Sequence, residues 1–209
     1  MRYDAMSLRG YVELLGAGTA VPGGGSAAAL SGALAAALAA MTAGLTISKE
    51  KYRNVWEEMR QLSSEAQEMA RRCLDLVQAD PESYEGVMAA YRLPRETDEE
   101  KMTRREAVRA AFRKAADVPL ETLRMSERIL KLAHAALKQG NLNCLTDAWA
   151  GVCLARTAAS VAAANVRVNL PGLEDEETAS RYREEVREII DRIERRFETA
   201  EKDFEAAMH

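Results

Sequence analysis

The sequence predicts an all-α fold, an up-and-down helical bundle, and three observations carry that reading. Apolar residues recur in steps of three and four over most of the chain, and no segment alternates like a strand. Two long stretches, 26–47 and 143–165, are rich in Ala and Gly and nearly free of charge, the composition of helices packed closely at a bundle centre. The last 33 residues before the terminus, 175–207, are heavily charged with one narrow apolar stripe, the pattern of an outer helix.

The 209 residues predict a single domain over 1–209, because no linker, low-complexity tract or repeat divides them. A net charge of -4 with interspersed signs leaves no basic stripe, which argues against nucleic acid as a partner. Three cysteines without a CxxC pair read as reduced thiols of a cytoplasmic protein, and no export signal is expected. Only His134 and His209 are present, so a histidine-rich metal site or a Ser/His/Asp triad has almost nothing to be built from. Acid–base chemistry must fall to carboxylates, Lys, Tyr or the substrate.

Ser7 to Leu15 reads as a short helix with Leu8, Tyr11, Val12 and Leu15 on one face, ended by Gly16 and Gly18. Pro22-Gly23-Gly24-Gly25-Ser26 then opens the central helix, with Ser26 suited to cap its first turn. Leu30, Leu34, Leu38, Met41 and Leu45 form one stripe of that helix, and small residues fill the other faces, which predicts a helix surrounded by others. Its Ala, Gly, Ser and Thr content is too weakly apolar for a membrane span. The helix start offers free N–H groups and a positive dipole end to an anion. It lacks both the Lys-Ser/Thr of a P-loop and the strand context of a dinucleotide fingerprint, and by itself such a turn is more often only an entry loop. Lys49, Lys51 and Arg53 either complement the helix's negative end or grip an anionic ligand.

Val55, Met59, Leu62, Ala66, Met69, Cys73 and Leu76 alternate steps of four and three, a coiled-coil-like seam over 53–79. One more step lands on Asp80, after which Tyr84, Val87 and Tyr91 resume the pattern, so an acid stands where an inward-facing residue belongs. Burial of such an acid would raise its pKa. Asp80 before Pro81 and Glu82 also reads as a helix cap, and on either reading the helix kinks or restarts there.

Thr97 to Glu100 is a capping box, opening a long helix bent at Pro119 and reaching Leu137. His134 lies beside its apolar face as a packed or half-exposed side chain. Gly140-Asn141 closes it, and the second small-residue helix follows, with Asp147 in its first turn and Arg156 in need of a carboxylate partner.

Five stretches together resemble the cyclodeaminase/cyclohydrolase family of folate enzymes. They are 22–26 (PGGGS), 45–52 (LTISKEKY), 79–80 (AD) with 90–95 (AYRLPR), 140–147 (GNLNCLTD) and 165–172 (NVRVNLPG). The resemblance runs in order over nearly the whole chain, and to the free-standing cyclohydrolases in particular. It implies an all-helical homodimer acting on the one-carbon bridge between N5 and N10 of tetrahydrofolate, with the folate as substrate and no tightly bound cofactor; composition adds the expectation of no metal and no membrane.

Asp80 matches the family's catalytic aspartate. Its role would be to protonate a departing amine or to take a proton from attacking water. Gly23, Gly24, Gly25 and Ser26 suit folate carboxylates or developing charge, and Lys49 and Lys51 a polyglutamate tail. Asp147 suits the pterin N–H groups, with Asn141, Asn143 and Asn165 orienting it. Gln78 stands where many relatives carry a second acid, which leaves the pKa of Asp80 to burial alone. The alternative on the same scaffold is a non-catalytic folate-binding or structural oligomer.

Overall fold

The computed structural model describes residues 1–209 and holds six α-helices and no strand. These are α1 (Leu8–Leu15), α2 (Gly24–Ile47), α3 (Trp56–Tyr91), α4 (Asp98–Gln139), α5 (Leu145–Asn169) and α6 (Glu176–Ala207), with short 3-10 turns between α2 and α3, α4 and α5, and α5 and α6. α2 packs against α3, α4 and α5, while α6 covers α4 and α5 from outside.

Close approach at the centre follows from side-chain size. Ala35, Ala36, Ala39 and Ala43 of α2 and Ala155, Ala158, Ala159 and Ala162 of α5 have no exposed surface. Where the two helices cross, a Cβ on Gly151 would lie 3.2 Å from the Ala35 carbonyl oxygen. Larger side chains from the neighbours, among them Met59, Leu120, Leu123, Ile129 and Leu130, fill the remaining volume. Each contributes about 1.5–3 kcal/mol by leaving water.

The leucine stripe of α2 corrects the expectation of a helix enclosed on every side. Leu34, Met41 and Leu45 are between 40% and 48% exposed, and the small rows are the buried ones. Three helix neighbours can close on Ala and Gly faces to a distance that leucines would forbid, so Leu34, Met41 and Leu45 are left on the outside while Leu30 and Leu38 are half-buried. α2 is long and apolar enough to cross a bilayer by composition, but half of that window is buried against the rest of the chain. In α1, similarly, only Tyr11 of the predicted face is buried, while Leu8 and Val12 stay exposed.

The second correction concerns α3, which runs unbroken through Asp80 and Pro81 to Tyr91 and neither ends nor restarts. The seam is buried as its spacing requires, from Met59 to Leu76. The capping box at Thr97 forms in both directions, and α4 continues through Pro119 as one helix. Arg156 finds Glu194 of α6 at 2.7 Å and lies over the Phe197 ring at 4.3 Å. His134 is buried, with Nε2 2.7 Å from Asp203.

Candidate active site

A proline inside a helix removes the N–H that the carbonyl four residues back would accept. Pro81 thereby frees the Val77 carbonyl oxygen, and the buried Ser26 hydroxyl donates to it at 2.9 Å. Ser26 Oγ accepts in turn from the Tyr11 hydroxyl at 2.9 Å. The chain from Tyr11 through Ser26 to Val77 ties α1, α2 and α3 together and draws the first turn of α2 onto α3. α4 repeats the arrangement: Pro119 frees the Ala115 carbonyl, and Asn169 Nδ2 of α5 donates to it at 3.0 Å. Without these donors each buried carbonyl would cost about 1–3 kcal/mol. The two proline-bearing helix segments, so held, form two walls of one cleft.

Asp80 sits on the first wall. Its Oδ2 accepts from the Ser26 backbone N–H at 2.9 Å, so the carboxyl terminates the ladder of α2 rather than capping its own helix. Ser26 is therefore not the cap predicted from sequence; Gly23 holds that position, and the Ser26 side chain is spent on Val77. Gly25 is the surface against which the carboxyl lies. A Cβ there would fall 2.0 Å from Oδ1 and 2.6 Å from Cγ, distances no real side chain shows. Burial raises the Asp80 pKa above the usual carboxylate range, and the Ser26 N–H opposes that with a smaller pull. The Gly24 and Gly25 amides donate to no group in the chain, so the positive end of α2 faces the opening.

The cleft has a volume of about 500 Å³. Gly23, Gly24, Gly25 and Asp80 form its polar floor, and Asn165, Val168 and Asn169 of α5 form one side. Tyr84, Val87, Met88 and Tyr91 of α3 and Phe112 of α4 supply an apolar wall, with Tyr91 and Phe112 edge to face at 6.1 Å. Asp80 is the only carboxylate among the lining residues. Gln78 points away from it, to the Tyr3 N–H at 2.7 Å and the Met1 carbonyl at 3.1 Å, so it holds the N-terminal segment. No three His, Cys, Asp or Glu side chains are grouped so that they could hold a metal ion.

Of the residues singled out from sequence, Gly23, Gly24, Gly25, Asp80 and Asn165 therefore share one cleft, with Ser26 directly behind it. Lys49, Lys51, Asn141, Asn143 and Asp147 do not join them. The 24 residues of α2 separate the two groups by about 35 Å of helix. At that far end the Asn141 N–H donates to Thr46 Oγ1 at 2.8 Å, Asn141 Oδ1 accepts from the Asn143 N–H at 3.1 Å, and Lys51 lies over Tyr52 at 4.6 Å. Met88, Phe112 and Asn169 line the cleft without having been singled out. For the α3 wall a signal existed: beyond Asp80 the seam changes from aliphatic residues to Tyr84 and Tyr91.

Residues 7–188 match the family model described as formiminotransferase-cyclodeaminase. The chain is similar to the methenyltetrahydrofolate cyclohydrolase of Methylorubrum extorquens, 35% identical over 86% of each chain. It is 30% identical to the formimidoyltransferase-cyclodeaminase of Mus musculus over 81% of this chain, but spans only 31% of that larger protein. A solved formiminotetrahydrofolate cyclodeaminase from Thermotoga maritima superposes with a TM-score of 0.88 at 27% identity, covering 99% of both chains. On the extent of these matches, and on a helical architecture shared end to end, the chain belongs to the formiminotransferase-cyclodeaminase family.

Proposed function

We propose that this chain is a tetrahydrofolate one-carbon enzyme, a methenyltetrahydrofolate cyclohydrolase with Asp80 as its acid–base group. The observation that carries the reading is the placement of Asp80, half-buried against Gly25 and tied to the Ser26 N–H on the floor of a cleft of small-molecule size. Match over most of both chains to the cyclohydrolase supports this direction of the chemistry.

The methenyl carbon carries the positive charge of an amidinium, so water can attack it directly. Asp80, as carboxylate, takes one proton from that water as the C–O bond forms. It returns this proton to N5 as the C–N5 bond breaks, while the new hydroxyl loses its proton to solvent and becomes the formyl oxygen on N10. A group that must serve as base and then as acid works best with a pKa drawn towards neutrality, the direction burial gives Asp80. The apolar wall of Tyr84, Tyr91 and Phe112 suits the flat rings of the substrate, and Asn165 suits its polar edges. No tightly bound cofactor is needed, since the one-carbon unit arrives on the folate. Three free thiols suit a reducing cytoplasm.

The exposed stripe of α2 supports a homodimer, with a second copy covering Leu34, Met41 and Leu45. A two-fold axis across the middle of α2 would bring Lys49 and Lys51 of one copy towards the Gly23 end of the other. Leu34→Glu with Met41→Glu then yields monomers in light scattering.

The test follows the near-ultraviolet absorbance of methenyltetrahydrofolate with purified protein and with Asp80→Asn. Protein-dependent decay that disappears in the variant is expected, and equal decay in both removes Asp80 from the mechanism. Ammonia release from formiminotetrahydrofolate tests the cyclodeaminase direction, which the end-to-end likeness to the Thermotoga maritima enzyme favours. Consumption of neither substrate leaves only the non-catalytic alternative.

A further inference from the structure

The lining of the cleft changes character in a fixed order along α3 and α4. From Asp80 the wall passes to Tyr84, Val87 and Tyr91, an advance of 11 residues, or about 16 Å of helix. Tyr91 also borders a second groove of about 470 Å³, lined by Arg95, Lys101, Arg104, Arg105, Val108 and Glu174. The cleft and this groove therefore share Tyr91, and on α4 the step from Phe112 to Val108 joins them by one helical turn.

Four cations against one carboxylate make this groove locally positive on a chain whose net charge is -4. Two of the four are already paired, Lys101 with Asp98 at 2.8 Å and Arg105 with Glu174 at 2.6 Å. Arg95 and Arg104 pair with no acid. Arg104 is held in place nonetheless: its Nε and Nη2 donate to the Tyr91 carbonyl oxygen at 3.2 Å each, and its guanidinium lies over the Tyr91 ring at 5.4 Å. A guanidinium with two donors on the backbone still has three N–H groups to offer.

We propose that the groove of Arg95 and Arg104 is the binding site for the substrate's glutamate carboxylates, including those of a γ-linked oligoglutamate extension. The order of surfaces is the order of groups in such a molecule: reacting centre at Asp80, aromatic ring along Tyr84 and Tyr91, carboxylates at the arginines. The inference rests on the folate reading for the identity of the ligand. It places the tail beside Arg104 and away from Lys49 and Lys51, which lie at the opposite end of α2 in the same chain.

Isothermal titration of the intact protein with p-aminobenzoyl-glutamate and with p-aminobenzoyl-γ-pentaglutamate tests it without turnover. The longer probe binds more tightly in low salt, and Arg95→Ala and Arg104→Gln each weaken it by about fivefold, the scale of one exposed ion pair. The shorter probe is less affected, and Lys49→Ala with Lys51→Ala leaves the preference for the longer probe intact. Arg95 makes no bond within the chain, so Arg95→Ala carries the test if Arg104→Gln unsettles the turn after Tyr91.

Equal affinity for both probes, or a loss caused by the lysine changes and not by the arginine changes, overturns the assignment. Turnover of pentaglutamyl methenyltetrahydrofolate separates the two readings: unchanged KM in the arginine variants of an active enzyme refutes the groove alone. Arginine-dependent binding of the probe by a protein without turnover refutes the catalytic reading alone.

Discussion

Gly25→Ala places one methyl group where the Asp80 carboxyl now lies. The added carbon would stand 2.0 Å from Oδ1, 2.6 Å from Cγ and 2.9 Å from Oδ2, and real Cβ contacts do not go below 3.0 Å. The carboxyl must therefore retreat by about 1 Å or rotate out of the crevice, and either movement lengthens its bond to the Ser26 N–H. Helix propensity favours alanine over glycine by about 0.5–1 kcal/mol, while loss of a hydrogen bond to a charged group costs about 1.5–3 kcal/mol. The balance is a loss of about 1–2 kcal/mol and a fall in Tm of a few degrees, so the variant still folds. Activity suffers far more. Removal of an aligned acid–base group costs about 10²–10⁴ in rate, and kcat should fall by about 10² or more.

The absorbance assay with methenyltetrahydrofolate reads that loss, and its pH profile adds a second readout. Burial holds the Asp80 pKa up, so the rising limb of the parent lies above the ordinary aspartate range. Expelling the carboxyl into water removes that cause and moves the limb down. Wild-type kcat with an unshifted limb in Gly25→Ala would refute the claim that the glycine confines a catalytic carboxyl.

Asp80→Asn should abolish turnover while raising Tm at pH 7. The folded-state pKa of Asp80 is raised, so its contribution to stability is fully present below the unfolded pKa and is lost as pH rises through the folded value. The gap in Tm between variant and parent accordingly closes as the pH falls to about 4, and a gap independent of pH would contradict it. Ser26→Ala strips the Val77 carbonyl of its donor and the Tyr11 hydroxyl of its acceptor. The expected cost is about 2–4 kcal/mol in chemical denaturation, and a cost under about 0.5 kcal/mol would mean that water replaces the hydroxyl. Thr42 Oγ1 is buried without a partner, so Thr42→Val should raise Tm by about 2–4 °C, and a lower Tm would show a hidden partner.

Much of this molecule was legible from spacing. The seam from Met59 to Leu76, the capping box at Thr97 and the outer stripe of α6 each lie in one helix, and helical periodicity alone decides which side chains share a face. The inward position of Asp80 came from the same count. Its partner did not, because Gly25 and Ser26 lie 54 and more positions earlier and no local pattern records which helix end meets which face.

For α2 the period was legible and its meaning was not. Leucine and alanine both count as apolar, so the stripe and the small rows score alike, and only the closeness of α3, α4 and α5 decided that the alanines go inward. The prolines show the same division. The sequence alone determined that the carbonyls of Val77 and Ala115 would lose their helical donors, since that is local covalent chemistry. That Ser26 and Asn169 replace them, and so close a cleft around Asp80, was decided by the tertiary structure, because a hydrogen bond depends on distance in space and not along the chain.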